Sequence, residues 1–372
     1  MKTRDFGIDI VRAFGIILMV LGHSGAPYTS IIFRFHMALF FIISGYCFSD
    51  KYLENAKTTL TFILKKIKTL YVPYVLFNII MTLLWPLLIR LNIYTDNPLF
   101  IEDTPYGGNL YGLLPLPDTF HLKNQLLNIL KFSFETQLGG ALWFFRVLFG
   151  TSILWCVVNY LLKSFLLISE KRRFGINLLL SFILLLFSWS SIKANDHFIL
   201  QAETVASSYI MYCMGYYLKG KLKTTDQYQN CLFALASFLL LIICDDICNK
   251  KGWNSNVNIF DNAIMYLFSS AVGFFAVYYL SRTIEKWNFS MFFSIIGQHT
   301  SAIVLLHFLC FKLITYLQCI IYKEPDYRLA SFPVYRTQNG WWIAYGVTGT
   351  IVPLIISMVY RTVLQVKNNS HK

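Results

Sequence analysis

The feature that most constrains this chain is a series of apolar runs, each about 17 to 25 residues long, separated by charged segments. A helix of that length spans the hydrocarbon core of a bilayer, whereas the sequence of a soluble domain contains far fewer such runs. Only 14% of the residues are charged, and the mean hydropathy is +0.53. The sequence therefore predicts an all-α integral membrane protein.

About ten of these runs are long enough to be transmembrane helices. They cover residues 8–26, 31–48, 71–93, 140–162, 174–191, 204–218, 230–247, 262–281, 299–321 and 341–360. With both termini in the cytoplasm, more than half of the 32 lysines and arginines fall in inner segments, as the positive-inside rule requires. Because this topology explains the net charge of +13, no nucleic-acid partner is indicated.

A single transmembrane domain is predicted to fill residues 1–372, with two segments of note between the spans. In residues 51–70, leucines and isoleucines recur at helical spacing among lysines, which predicts an amphipathic helix on the inner membrane surface. Its lysines can bind anionic lipid, or Lys65 and Lys66 can receive an anionic cofactor. Residues 94–139 form the longest outer loop, whose aromatic and polar side chains suit either a connector or a sugar-binding surface.

Ionisable side chains within apolar runs mark a polar cavity or pathway, because lipid disfavours them. Arg12 and His23 lie in the first run, three helical turns and about 16 Å apart on nearly the same face. His36 opens the second run, and the short connection between the two runs brings it to the depth of His23. Arg12 can also reach the inner interface beside Asp9, and His23 can be a purely interfacial histidine.

No metal site is predicted. The eight cysteines lie in or beside apolar runs without the paired spacing of metal ligands. The histidines are scattered over several runs and lack carboxylates at ligand spacing.

Three motifs occur in a fixed order along the chain. An arginine, ten residues and a histidine lie in the first run, before His36-Met-Ala-Leu-Phe-Phe in the second. Leu-Trp-Phe-Phe occupies residues 142–145, and a segment with Gly297 and Ser301 ends at His307. Together these motifs resemble those of acyltransferase family 3, a family of membrane proteins with a ten-span core. Gln-His-Thr at 298–300 departs from the residues usual there.

The resemblance implies an enzyme that transfers an acyl group, usually acetyl from acetyl-CoA, to a hydroxyl of a cell-envelope or extracellular glycan sugar. Its partners would be acyl-CoA, a glycan or lipid-linked sugar and membrane lipids, with no tightly bound cofactor. It also implies a multi-pass protein of a bacterial cytoplasmic membrane.

An alcohol that attacks a thioester must lose its proton, and the developing oxyanion must be stabilised. Under the resemblance we expect His23 to be the general base and His36 to orient it. Arg12 would hold the phosphates of the donor, and Arg146 would bind an oxyanion or a phosphate. Direct transfer and a covalent acyl-histidine intermediate both remain open.

Further residues are candidates for binding the acceptor, although each also suits a structural role: Arg34, Trp143, His307 and Glu203. An alternative class is a carrier or flippase for a sugar or lipid-linked intermediate, in which the polar stripe lines a translocation path without making bonds.

Overall fold

The computed structural model describes residues 5–95, 119–196, 198, 201–222 and 226–369. Within these ranges the chain is helical and forms no sheet, apart from an isolated bridge between Ser255 and Phe260. The all-α prediction is confirmed. Much of the predicted outer loop, residues 96–118, lies outside the described part of the chain.

The α-helices of the described residues are numbered in chain order. They are α1 (Phe6–His23), α2 (Thr29–Phe33), α3 (His36–Tyr46), α4 (Ala56–Lys66), α5 (Val72–Leu83), α6 (Trp85–Arg90), α7 (Thr119–Leu130), α8 (Trp143–Tyr160), α9 (Glu170–Ala194), α10 (Ala202–Leu218), α11 (Gln227–Lys251), α12 (Ala263–Ile284), α13 (Ser290–Gln298), α14 (Thr300–Tyr322) and α15 (Trp341–Asn369). Short 3-10 helices cover Asp50–Leu53, Gln137–Leu142 and Asp326–Ala330.

Eight helical segments of the described chain are long and apolar enough to cross a membrane. The two other predicted spans differ from these in length or continuity. Residues 204–218 fall in α10, which has 17 residues. Residues 71–93 are divided between α5 and α6, and Pro86 lies in the first turn of α6, where its missing N–H costs no hydrogen bond. The count of ten spans and the side of the termini stay predictions.

The segment 51–70 contains α4 followed by a π-helical turn, Ile67–Tyr71. Asn55 begins α4 as its N-cap, because its side chain accepts a hydrogen bond of 2.9 Å from the backbone N–H of Thr58. Phe62 is buried, whereas Leu60 and Leu64 are each 54% exposed. The helix therefore presents leucines on a free face, as a surface helix would; its place on the membrane stays a prediction.

By its contacts the chain divides into two compact units. The first contains Met1–Gly15, Ser30–Tyr74 and Trp143–Ser294. The second contains Ile16–Thr29, Val75–Leu142 and Ile295–Lys372.

In the first unit, α3 and α10 pack backbone against backbone. A Cβ atom on Gly45 would lie 2.0 Å from the carbonyl oxygen of Tyr212, and one on Gly215 would lie 1.8 Å from that of Ile42. Glycine at both positions is what permits this approach, as is usual between membrane helices. The ring of Trp155 then packs 5.6 Å from that of Tyr212, in an aromatic core beside the helix pair.

In the second unit, buried polar side chains of α14 hold the segment that follows it. Lys312 Nζ donates hydrogen bonds of 2.9 and 2.8 Å to the carbonyl oxygens of Leu329 and Ser331. Gln318 Nε2 donates one of 2.9 Å to the carbonyl oxygen of Arg336. Because these buried groups find partners in the segment after α14, that segment is fixed against the helix.

Candidate active site

His307 of α14 is fully buried in the second unit. Its Nδ1 lies 3.1 Å from the carbonyl oxygen of Ile303 and 3.0 Å from that of Val304. Because carbonyl oxygens only accept hydrogen bonds, Nδ1 carries the proton and Nε2 carries the lone pair. Nε2 is buried and has no hydrogen-bond partner among the described residues. His307 is therefore arranged as a proton acceptor.

His23, the last residue of α1, lies against this imidazole. The two rings stack with centroids 5.6 Å apart and planes inclined by 29°. Phe308 contacts both rings, with centroids 5.0 Å from His23 and 4.0 Å from His307. Phe332 packs on Phe308 in turn, at 4.7 Å. In the second unit, therefore, the two imidazoles stack on each other and pack against aromatic side chains.

The sequence did not predict this pairing. We expected His36 to be the partner of His23, and His307 to serve the acceptor or helix packing. The available signal was the histidine that ends the third motif. The separation of His307 from His23 along the chain does not show that they touch, because the packing of their helices brings them together.

His36 begins α3 in the first unit and is 4% exposed. Its Nδ1 lies 2.9 Å from the carbonyl oxygen of Ile32, and its ring centroid is 5.5 Å from that of Phe33. Its expected role in orienting His23 stays a prediction.

Arg12 lies on α1 in the first unit, with its side chain 30% exposed. Its Nη1 is 3.1 Å from Asp9 Oδ1, so the two form an ion pair one helical turn apart. Its Nη2 lies 3.2 Å from the sulfur of Cys47, just after the end of α3. The guanidinium is thus held by contacts on both sides and still reaches solvent.

Lys65 and Lys66 end α4 in the same unit, outside the membrane-length helices. Lys65 is exposed, and Lys66 is partly buried. Burial lowers the pKa of Lys66 to about 8, and the positive charges of Lys65 and Arg12 act in the same direction. Since Arg12 and Lys66 are close enough to repel each other, they form a cationic cluster that an anion would stabilise.

Arg34 is buried, and its charge is matched within the first unit. Its Nε lies 2.5 Å from Asp245 Oδ1, and its Nη2 lies 2.7 Å from Asn249 Oδ1. It lines a cavity of about 400 Å³ with Asn249, Trp253 and Asn254, among others. Because Asp245 neutralises Arg34, the cavity suits a neutral polar ligand better than an acidic one.

The other candidates also lie in the first unit. Trp143 begins α8, and Arg146, one turn later, is buried. Glu203 is buried in the first turn of α10, where its Oε2 accepts a hydrogen bond of 3.2 Å from the backbone N–H of Phe198. Their roles in binding stay predictions.

No group of three or more histidine, cysteine, aspartate or glutamate side chains suited to a metal ion occurs in the described residues.

Membrane-length helices and two stacked histidines, of which His307 is fully buried, define a class: a helical membrane protein with an imidazole pair in its second unit. Comparison with known families narrows this class. The family model described as an acyltransferase domain, that of acyltransferase family 3, matches residues 5–360. The chain belongs to this family and is an acyltransferase, so the resemblance noted in the motifs is confirmed. No curated protein and no solved structure matches the chain.

Proposed function

We propose that the protein is an acyl-CoA-dependent O-acyltransferase that moves an acyl group, foremost acetyl, to a hydroxyl of a cell-envelope or extracellular glycan sugar. The observation that carries this proposal is that Nε2 of His307, beside His23, is buried and has no hydrogen-bond partner in the described part of the chain. Membership of the acyltransferase family supports the transfer. The same proposal places the protein in a bacterial cytoplasmic membrane with both termini inside.

The histidine pair supplies the base that the reaction needs. As the acceptor hydroxyl attacks the thioester carbonyl carbon, an imidazole nitrogen takes its proton and a C–O bond forms. The tetrahedral oxyanion then collapses, the C–S bond breaks, and the imidazolium donates the proton it took from the hydroxyl to the leaving thiolate. The products are an ester and the thiol of CoA. Stacking of His23 on His307 keeps both rings in place while one of them changes charge.

The donor carries several phosphates, which call for cations. Arg12, Lys65 and Lys66 supply them in the first unit, and the Asp9 and Cys47 contacts hold Arg12 in position. Arg146 would bind a phosphate or the oxyanion.

The acceptor is a sugar in this proposal, and the cavity beside Arg34 has the chemistry for one. The Asn249 amide is engaged by Arg34 and Asp245. The Asn254 amide donates to Asp261, so each amide keeps its second proton and a lone pair for hydroxyls. The Trp253 ring offers an apolar face. Trp143 and Glu203 are further candidates for contact with the acceptor, and His36 for orienting the base.

The test is turnover by purified protein given acetyl-CoA and glycan extracted from expressing cells. We expect release of CoA thiol and an acetyl-sized mass increase of the glycan. His23→Ala should abolish both, whereas Arg12→Ala should be partly rescued by more donor. If wild-type protein releases no thiol and alters no glycan, yet moves a lipid-linked sugar across vesicles, the protein is a carrier and the proposal is wrong.

A further inference from the structure

The first unit contains a second, larger cavity of about 730 Å³ that the proposed reaction leaves without a ligand. Cavities of about 300–1,000 Å³ bind most of the surface of a drug-sized molecule. This one opens between the residues that follow α3, the start of α9 and the end of α10. In the predicted topology all three positions lie on the cytoplasmic side.

Positive charge prevails in the cavity. Lys51, Lys219 and Lys221 line it, against the two carboxylates of Asp50 and Glu170. Lysine ammonium groups in such an arrangement attract a ligand with several negative charges.

One of the two carboxylates is already engaged. Asp50 Oδ1 accepts a hydrogen bond of 2.7 Å from the hydroxyl of Tyr216. Behind this pair, buried Arg173 donates a 3.0 Å hydrogen bond to the same hydroxyl and lies 3.9 Å from Asp50 Oδ2. Arg173 therefore offsets the charge of Asp50, and the three lysines give the lining of the cavity a net positive charge.

The cavity also offers an aromatic surface. Tyr217 is partly exposed in its lining, and its hydroxyl is held by a 3.2 Å hydrogen bond from Asn177 Nδ2. A fixed aromatic ring can stack on a nucleobase, while Glu170 can accept hydrogen bonds from an exocyclic amine or from ribose hydroxyls. Cations, a ring and an acceptor together match a nucleotide more closely than a bare phosphate or a lipid headgroup.

A short stretch of chain after α3 connects the cavity to the cationic cluster of Arg12 and Lys66. Arg12 contacts Cys47, and Ser49, two residues farther along the chain, already lines the cavity. We propose that this cavity binds the nucleotide end of acyl-CoA, adenosine 3′,5′-diphosphate, with its two phosphates on Lys51, Lys219 and Lys221, while the third phosphate, on the pantetheine arm, is left to the cluster of Arg12 and Lys66. The assignment rests on the proposed function, in which acyl-CoA is the donor.

The test measures binding to full-length protein in lipid nanodiscs by calorimetry, with CoA, adenosine 3′,5′-diphosphate and pantetheine as probes. Lys51→Gln and Lys221→Gln should each weaken binding of CoA and of the nucleotide at least about fivefold, because each removes a charge-assisted hydrogen bond. Binding of pantetheine, which has no nucleotide, should not change. Lys171→Gln is the matched control, since it removes an exposed lysine beside Glu170 that does not line the cavity.

Turnover separates this proposal from the proposed function. With S-acetylpantetheine as donor, the Lys51→Gln and Lys221→Gln variants should keep the wild-type KM, while their KM for acetyl-CoA should rise. If both variants bind CoA as tightly as Lys171→Gln does while wild-type protein turns over acetyl-CoA, the cavity assignment is wrong and the acyltransferase stands. If wild-type protein binds ATP as tightly as adenosine 3′,5′-diphosphate and never consumes acetyl-CoA, both the donor assignment and the proposed function are wrong.

Discussion

At the scale of single residues, backbone carbonyls decide what His307 can do. Within α14, the carbonyl oxygens of Ile303 and Val304 both face Nδ1 and require its proton. The lone pair is thereby assigned to Nε2 without any carboxylate partner. A helix thus fixes the tautomer of an imidazole by its own geometry, where many other sites use an aspartate for the same purpose.

His307→Asn tests this arrangement. The asparagine amide can still donate to the carbonyl oxygens but has no basic nitrogen in place of Nε2, so kcat for acyl transfer should fall by about 10²–10⁴. His299→Asn is the control, because His299 lies in the same unit and binds Ser357 Oγ at 2.7 Å instead. We expect it to retain wild-type kcat. Equal losses in the two variants, measured as CoA thiol release, would contradict a role for His307 in proton transfer.

Because Lys66 titrates just above neutral pH, we expect donor binding to depend on pH. Its pKa of about 8 means that it is charged at pH 7 and largely neutral at pH 9. Phosphate groups complete their ionisation near pH 6, so they keep their charge across this window. Affinity for CoA should therefore fall as pH rises from 7 to 9, with the decline beginning near pH 8.

Lys66→Arg should remove this decline, because a guanidinium stays charged throughout. Lys57→Arg, which changes an exposed lysine of the same helix, should keep it. Calorimetric titration of CoA at pH 7, 8 and 9 checks the three proteins. An unchanged decline in Lys66→Arg would assign the titration to another group.

At the scale of elements, the close packing of α3 on α10 depends on two glycines. A methyl group at Gly215 would meet the backbone of Ile42, which cannot move aside as a flexible side chain would. Gly215→Ala and Gly45→Ala should each lower the free energy of unfolding by about 1–3 kcal/mol through overpacking. Gly175→Ala is the matched control on α9, where a Cβ would meet nothing within 4 Å.

Gly175→Ala should instead be neutral or stabilising by up to about 1 kcal/mol, since alanine favours the helix. The measurement is thermal unfolding in detergent, followed by a thiol-reactive dye that reports exposure of the buried cysteines. If Gly215→Ala unfolds at the wild-type temperature, the backbones of α3 and α10 are not in contact.

At the scale of the whole molecule, the break between α5 and α6 at Leu84 raises the question of whether residues 71–93 cross the membrane. If α5 and α6 together cross the membrane, Lys131 is outside and Lys171 is inside. With exposed Cys47 and Cys231 replaced by alanine, an impermeant maleimide should label Lys131→Cys and Lys250→Cys in intact spheroplasts. Lys57→Cys and Lys171→Cys should react only after permeabilisation. Labelling of Lys131→Cys and Lys57→Cys from the same side would show that residues 71–93 do not cross.

The helices and their apolar surfaces could be predicted from the sequence because their causes are local. Each apolar run satisfies its own backbone hydrogen bonds as a helix, and lipid accepts its side chains without help from distant residues. The pairing of Arg12 with Asp9 was predictable for the same reason, since the two are one helical turn apart. The motif order likewise predicted the family, because it needs no knowledge of contacts.

By itself, then, the sequence determined a helical membrane acyltransferase and named His23 as a candidate. Only the tertiary structure decided that His307 is its partner and that Asp245 neutralises Arg34. These contacts join residues of helices that are far apart in the sequence. Hydropathy and helical period do not predict which of these distant side chains meet. Which helices pack together depends on shape at particular positions, such as Gly45, where one methyl group more would keep two backbones apart.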